Sequence, residues 1–251
     1  MTAPAAARTI VRCGRVESTQ PIAFAIAADG APDRSVVIAD SQAAGRGRRG
    51  RAWHDEPGAS LLVSIVLRPR VAPARLPTLS LTAGVALAEA LERVAGLAAR
   101  LKWPNDVLVG GRKLAGILLE SRLSPAAAGS EALAVVVLGI GVNLTQRAFP
   151  LELAERATSV RLAGGRDVDR DTLLTELLAR LDYWRGRLEM EGFEPVRERW
   201  RALADTLGRP VSVDGVAGVA VDLDDDGALL VADDHGVRRR VVAGDVVEER
   251  R

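Results

Sequence analysis

The sequence is poor in the residues that form covalent and metal cross-links. Among its 251 residues are one cysteine and two histidines, and aromatic residues make up only 3%. The single cysteine, Cys13, excludes an internal disulfide and favours a reducing compartment. With so few histidines beside it, a structural zinc site is not expected.

The sequence also lacks long hydrophobic runs and an excess of charge of either sign. The formal net charge is +1, so any affinity for phosphate must come from local clusters of charge. No uninterrupted run of about eighteen apolar residues predicts a transmembrane helix. The opening residues, MTAPAAARTIVRCG, have neither the basic start nor the apolar run of a signal peptide. We therefore expect a cytoplasmic protein that binds no membrane.

The composition is that of an ordinary globular protein, since 48% of the residues are hydrophobic and 27% are charged. This length fits one large domain, or a large and a small one. Short β-branched runs predict buried strands, and apolar residues at helical spacing predict helices. The predicted strands cover 35–39, 60–67 and 132–140, a hairpin turns at Gly110–Gly111, and helices cover 78–95 and 172–189.

The texture changes after Gly208. Short valine-rich stretches there alternate with glycine- and aspartate-rich turns, which is typical of a small all-β module. We therefore predict two domains, residues 1–207 and residues 208–251. The stretch from Asp222 to Asp233 nearly fits a calcium-binding loop, with Asp222, Asp224 and Asp226 at the first three ligand positions. Strand-like flanks favour a hairpin turn instead.

The loop GRGRRGR, residues 45–51, places four arginines and three glycines in seven positions. Taken alone, it fits a solvated basic loop or an RNA-binding segment as well as a ligand site. Arginine offers a planar donor fork that suits carboxylate and phosphate. Glycines let the backbone approach an anion closely. The loop therefore predicts a mobile clamp that becomes ordered over a phosphorylated or carboxylated small molecule.

Four polar residues stand in or beside the apolar strands of KWPNDVLVGGRKLAGILLE. A lysine in a buried strand needs a partner or a ligand, and a structural ion pair between Lys102 and Asp106 is the alternative to a ligand site. Gly116 leaves room for a ligand or a neighbouring backbone. The four residues are Lys102, Asn105, Asp106 and Lys113.

Two shorter motifs have similarly divided interpretations. GIGVN, residues 139–143, is either a strand-end turn or a place where glycines admit a flat ligand that Asn143 hydrogen-bonds. In ESTQ, residues 17–20, the hydroxyls and the amide suit a urea or amide carbonyl, but Ser18 or Thr19 could equally cap a helix.

In this order and spacing, STQ, SQAAGRGRRGRAW, KWPNDVL, GRKLAGILLE and GIGVN resemble the biotin protein ligases, over about residues 15–145. The resemblance implies an α+β fold with a mixed β-sheet flanked by helices, like that of class II aminoacyl-tRNA synthetases, and a small C-terminal SH3-like β-barrel. It implies that biotin and ATP form biotinyl-5′-AMP and pyrophosphate, with Mg²⁺ assisting. Biotin then passes to a lysine of a biotin carboxyl carrier domain of acyl-CoA carboxylases.

The resemblance also implies the site residues. Those for biotin are Ser18, Thr19, Gln20, Gln42, Gly45, Arg46, Gly47, Arg48, Lys113, Gly116, Gly139 and Gly141. Those for ATP or the adenylate are Arg46, Arg48, Arg51, Trp53, Lys102, Asn105, Lys113 and Asn143. The catalytic residues are Lys113, Arg48 and Asp106, with Asp106 either a base or an orienting group for the acceptor lysine. No residue is assigned as a dedicated metal ligand.

Two rival functions follow from the same residues. One is a lipoate or octanoate ligase of the same fold, against which the GRGRRGR loop argues. The other is a nucleic-acid-binding module, against which the near-zero net charge and the KWPND strand argue. Longer members of the family begin with a DNA-binding domain, which is not expected here, so neither a repressor role nor a nucleic-acid partner is implied. Monomer and homodimer remain alternatives.

Overall fold

The computed structural model describes residues 8–123 and 134–248, so residues 132 and 133 of the predicted strand lie outside the described residues. In chain order the strands and helices are β1 (Ile10–Val16), α1 (Thr19–Ala28), β2 (Val36–Gln42), β3 (Ser60–Leu67), α2 (Thr78–Ala95), β4 (Arg100–Lys102), β5 (Asp106–Val109), β6 (Arg112–Leu123), β7 (Ala134–Asn143), α3 (Arg170–Glu191), α4 (Glu194–Leu203), β8 (Pro210–Val213), β9 (Val216–Leu223), β10 (Leu229–Ala232), β11 (Arg238–Val241) and β12 (Val247–Glu248).

The chain divides into two compact units. The first contains Met1–Arg70 and Gly116–Gln146, and the second contains Val71–Ala115 and Arg147–Arg251. Strand β6 crosses from the second unit into the first at Gly116. None of the helices in the described ranges combines the length and the hydropathy needed to span a bilayer.

The first unit is a mixed sheet with the strand order β1-β2-β3-β7-β6. Strand β1 runs parallel to β2, whereas β2–β3 and β3–β7 are antiparallel. All eight residues of β3 are buried, as expected for a strand covered on both faces. Helix α1 supplies Ala23, Phe24 and Ala27 to a core that also contains Val37 and Val66.

The second unit confirms two predictions that rest on local signals. The turn between β5 and β6 has positive φ angles at both Gly110 and Gly111, which is the conformation that makes glycine pairs good hairpin turns. Helix α2 has the predicted bounds and ends at Gly96 in the left-handed conformation. The helix predicted from residue 172 begins at Arg170 because Asp169 caps it through its side chain.

The C-terminal strands form a five-stranded antiparallel sheet with the order β11-β10-β9-β8-β12, as the small all-β module predicts. Arg201 of α4 makes a two-pronged contact with Asp222 of β9, at 2.6 Å and 2.8 Å. Burial alone would raise the pKa of Asp222, but hydrogen bonds from Arg201 and from the Leu223 N–H outweigh it and the pKa is lowered. The domain boundary at residue 207 stays a prediction.

Candidate active site

The ESTQ motif lies at the start of α1, where Ser18 caps the helix by accepting a hydrogen bond from the Gln20 N–H at 3.4 Å. Thr19 donates twice to Oε1 of Gln42, from its backbone N–H at 2.8 Å and from its hydroxyl at 3.1 Å. The helix-capping interpretation is confirmed for Ser18, and the role of the motif in binding a urea carbonyl stays a prediction. Ser18 caps the helix, and Thr19 meets Gln42, a residue predicted from a different motif.

Ser64 of β3 contacts a predicted site residue, and sequence reasoning missed this contact. Its Oγ lies 2.8 Å from Oγ1 of Thr19, and the residue is completely buried at 0% exposure. A buried hydroxyl almost always has a hydrogen-bond partner. A serine inside the apolar run SLLVSIVL was the available signal, but its partner stands 45 residues away in sequence.

Gln20 presents an unsatisfied acceptor. The residue is only 3% exposed, and its Nε2 donates to the Leu118 carbonyl at 3.2 Å. Among the residues that the structure describes, no donor contacts its Oε1. A Cβ on Gly139 would stand 3.1 Å from Nε2 of Gln20, so the glycine gives this amide its room. A ligand N–H at Oε1 would remove the cost of an unpaired buried oxygen.

The GRGRRGR loop is closed by its own backbone. Arg46 and Ala52 form an antiparallel bridge, the Trp53 N–H donates to the Gly45 carbonyl at 2.8 Å, and the Gly47 N–H donates to the Arg51 carbonyl at 2.7 Å. A Cβ on Gly45 would lie 2.8 Å from the Trp53 carbonyl oxygen, so only glycine fits there. That ligand binding orders the loop stays a prediction.

Two arginines of this loop have contacts that sequence reasoning did not foresee. Arg46 donates through Nη2 to Oε2 of Glu120 on β6 at 3.1 Å, with the side chains 46% and 34% exposed. Glu120 ends the GRKLAGILLE motif but had no predicted role. Nε of Arg51 donates to the Arg48 carbonyl at 3.4 Å. This hydrogen bond holds the two arginines, both predicted to bind the ligand, in one turn of the chain.

The GIGVN motif is not a strand-end turn, because β7 continues through it to Asn143. Gly139 and Gly141 stand opposite Ser64 and Leu62 of β3. A Cβ on Gly141 would lie 2.6 Å from Cε2 of Trp53. The room that this glycine leaves is therefore taken by the indole of Trp53, which brings two predicted site residues into contact.

Asn143 is buried with two further polar residues. Nε2 of Gln146 donates to Oγ of Ser60 at 2.6 Å and to Oδ1 of Asn143 at 3.4 Å. All three residues are less than 5% exposed. Neither Ser60 nor Gln146 was predicted as part of the site.

The second unit holds the charged residues of KWPND and GRK. Nζ of Lys113 lies 2.6 Å from Oδ1 of Asp106, and the side chains are 36% and 26% exposed. The expectation that the polar residues of these strands are buried was wrong, since Lys102 and Asn105 are partly exposed as well. Lys102 stands opposite Asp106 in the β4–β5 ladder, and Asp106 forms an ion pair with Lys113.

Hydrogen bonds to the backbone hold Lys113 and Trp103 in place. The Lys113 N–H donates to the Arg156 carbonyl at 2.7 Å, and the Lys113 carbonyl accepts from the Thr158 N–H at 2.9 Å. Trp103 is buried, and its indole N–H donates to the Gly227 carbonyl at 3.0 Å. Gly116, further along β6, lies in the first unit.

The aspartate cluster that resembles a calcium loop is the turn between β9 and β10, as the hairpin interpretation predicted. The carboxylates of Asp224, Asp225 and Asp226 lie within 4.8 Å of one another. Arg240 forms ion pairs with Asp224 and Asp226, and Arg75 lies 3.8 Å from Asp225. Arginines therefore already neutralise the charge that a metal ion would.

Residues 13–143 match the model of the Biotin/lipoate A/B protein ligase family. Residues 206–247 match the Biotin protein ligase C terminal domain. The first segment contains every predicted site residue. The second contains the whole of β8 to β11.

Individual proteins give the same result. The chain is 39% identical over 241 residues to a biotin--[acetyl-CoA-carboxylase] ligase of Paracoccus denitrificans, covering 92% of this chain and 97% of that protein. It is 40% identical over 251 residues to the enzyme of that name from Mycobacterium tuberculosis, covering 93% and 86%. A solved biotin protein ligase from Aquifex aeolicus, in complex with biotin and ATP, superposes with a TM-score of 0.81 at 28% identity, covering 97% and 99%.

Proposed function

This chain belongs to the biotin/lipoate A/B protein ligase family, and we propose that it is an ATP-dependent biotin protein ligase. It activates biotin to biotinyl-5′-AMP with release of pyrophosphate, and then transfers biotin to a lysine of an acceptor protein. The relatives from Paracoccus denitrificans and Mycobacterium tuberculosis carry this activity in their names. The Aquifex aeolicus structure holds both small substrates.

Two glutamine amides in the first unit are the observation that favours biotin over lipoate as the substrate. Thr19 holds Oε1 of Gln42, and Nε2 of Gln42 lies beside Gly45, where it serves as a donor. Gln20 offers a buried acceptor oxygen. A cyclic urea has the complementary carbonyl oxygen and N–H groups, whereas the dithiolane ring of lipoate has neither. A site with buried polar groups discriminates strongly against a ligand that leaves them unpaired.

The first chemical step needs charge neutralisation more than it needs a base. A carboxylate is already ionised at pH 7, and its oxygen attacks the α-phosphorus of ATP while the bond to the leaving pyrophosphate breaks. Two anions must meet, so fixed positive charge lowers the barrier. We assign that charge to Arg46, Arg48 and Lys113, with Gly45 and Gly47 closing over the carboxylate through their backbone.

Mg²⁺ accompanies ATP in this proposal. No residue is assigned to it as a dedicated ligand, because an ion that arrives with ATP is held mainly through phosphate oxygens and water. Mg²⁺ would neutralise the charge that develops on pyrophosphate.

The second step requires a neutral lysine amine, which attacks the biotinyl carbonyl carbon and displaces AMP. A free lysine has a pKa of about 10.4, so a proton must leave before or during the attack. Asp106 orients the incoming ammonium in competition with Lys113, its partner at 2.6 Å. The Asp106 carboxylate already accepts from one lysine ammonium, and the orienting role requires the same interaction.

The acceptor is a biotin carboxyl carrier domain of an acyl-CoA carboxylase, in line with the names of the relatives. Residues 208–251 form the small SH3-like domain of the enzyme in this proposal. The remaining adenylate contacts are assigned to Arg51, Trp53, Lys102, Asn105 and Asn143, and Ser18, Gly116, Gly139 and Gly141 complete the biotin site.

Pyrophosphate exchange into ATP tests this function. Biotin should support exchange at micromolar concentration, and lipoate and octanoate should support none. Transfer of labelled biotin to a purified carrier domain tests the second step. Exchange with lipoate alone would contradict the proposal and favour the rival acyl ligase.

A further inference from the structure

Strand β3 contains two serines in an otherwise apolar sequence. Ser60 and Ser64 are both at 0% exposure, and residues four apart in a strand point to the same face. At the usual rise per residue, their side chains stand about 13 Å apart along the strand. A strand that is buried throughout has no solvent to satisfy these hydroxyls, so each must be explained by its partner.

Ser64 begins a short chain of hydrogen bonds. Thr19 uses its one hydroxyl proton on Oε1 of Gln42 at 3.1 Å, so its oxygen accepts from Ser64 at 2.8 Å. This order fixes the direction of every bond. It holds Oε1 of Gln42 toward α1 and therefore directs Nε2 of Gln42 to the opposite side.

Ser60 begins a second, separate set. It accepts from Nε2 of Gln146 at 2.6 Å, and the same nitrogen lies 3.4 Å from Oδ1 of Asn143. Asn143 also stands directly opposite Ser60 in the β3–β7 ladder. Ser60 thus fixes the Gln146 amide against the Asn143 side chain.

We propose that Ser64 and Ser60 are positioning residues that set the two ends of the substrate site from one strand. Ser64 acts through Thr19 and Gln42 on the urea ring of biotin, and Ser60 acts through Gln146 and Asn143 on the adenine nucleotide. The inference rests on the proposed function, since it takes Gln42 and Asn143 as the contacts for biotin and adenosine. Neither serine touches a substrate.

Reciprocal kinetics of Ser64→Ala and Ser60→Ala in pyrophosphate exchange test this inference. Loss of one buried hydrogen bond corresponds to about a three- to tenfold change in affinity. Ser64→Ala should raise the KM for biotin by that factor and leave the KM for ATP within about twofold. Ser60→Ala should do the reverse. Each variant controls for the other, because both remove one buried hydroxyl from the same strand.

A purely structural role would lower Tm and leave the two KM values unchanged, or would move them together. Either result overturns the inference while exchange by the wild type still supports the proposed function. Absence of biotin-dependent exchange in the wild type overturns both. If an alanine variant is insoluble, Ser64→Cys and Ser60→Cys keep a slightly larger polar side chain and weaken the hydrogen bond, and the same reciprocal pattern is required of them.

Discussion

Two segments of this chain are rich in arginine, and their surroundings differ. In the loop of residues 45–51, three glycines lie among four arginines, and the backbone closes on itself through hydrogen bonds. In β11, residues 238–240, three arginines follow one another on a strand at the edge of the small sheet. Arg240 lies among the carboxylates of the β9–β10 turn, whereas Arg46 of the loop has Glu120.

The difference shows that a basic run is not by itself a site for anions. In β11 the nearby aspartates neutralise the positive charge, and Arg239 lies 3.7 Å from Asp233. In the loop, Arg46 pairs with a glutamate that is itself partly exposed. The glycines of the loop let its backbone approach an anion closely. We therefore expect substitutions in the loop to change catalysis and substitutions in β11 to change stability.

The largest effect is expected from Arg48→Ala in the loop. Loss of one fixed cation at the transferring phosphate should lower biotin-dependent exchange by about 100-fold. The loop should also protect the mixed anhydride less well from water, so that biotinyl-AMP escapes. Single-turnover assays with ultrafiltration measure the fraction of adenylate that is free in solution.

Arg239→Ala is the matched control, because it removes an arginine of the other basic segment. Its exchange rate and its free adenylate should equal those of the wild type. If Arg48→Ala retains the intermediate as well as the wild type does, the loop does not protect it. If Arg239→Ala loses exchange as strongly, the contrast between the two segments is wrong.

A smaller effect, on stability alone, is expected from Arg240→Ala. The substitution removes the partner of Asp224 and Asp226 and leaves like charges within 4.8 Å of one another. Because these pairs are partly exposed, the free energy of unfolding should fall only modestly. Thermal unfolding measures it, and about 0.5 M salt should shrink the difference.

Arg238→Ala, at the exposed start of the same strand, serves as the comparison and should leave Tm nearly unchanged. Exchange kinetics of Arg240→Ala should match those of the wild type. A raised KM for ATP in this variant, at an unaltered Tm, would instead assign β11 to substrate binding.

The contrast between the two segments was only partly predictable from the sequence. Helix α2 has its predicted bounds and the β5–β6 hairpin turns at the predicted residues, because Gly96 and the Gly110–Gly111 pair act locally. The hairpin turn at Asp224 was predicted for the same reason. Local signals of this kind need no knowledge of the neighbouring strands.

Partners that come from distant segments could not be predicted. Glu120 meets Arg46 from 74 residues away, and Ser64 meets Thr19 from 45 residues away. The extent of β7 was underestimated because its pairing with β3 carries the strand through two glycines. Each case depends on which strands are neighbours, and a single sequence does not contain that information in local form.

Glu120→Gln tests whether Glu120 competes with a ligand carboxylate for Arg46. The neutral amide competes less well with a carboxylate for Arg46, so the KM for biotin should fall by about two- to threefold, as expected for a partly exposed pair. Glu120→Asp keeps the charge and should stay near the wild-type value. An unchanged or raised KM in Glu120→Gln would mean that Glu120 does not compete with the substrate.

The smallest effect concerns pH and the aspartates beside β11. The Asp225 N–H lowers the pKa of Asp224 below its ordinary value of 3.8; burial opposes this shift, and Arg240 adds to it. A carboxyl with a lowered pKa stabilises the fold fully above its unfolded-state pKa and ceases to do so as the pH falls through the folded-state value. Between pH 6 and pH 3 the Tm of the wild type should therefore fall by about 1 °C more than that of Asp224→Asn. Parallel Tm values at every pH would show that this carboxylate does not stabilise the turn, and the arginines of β11 would then need another explanation.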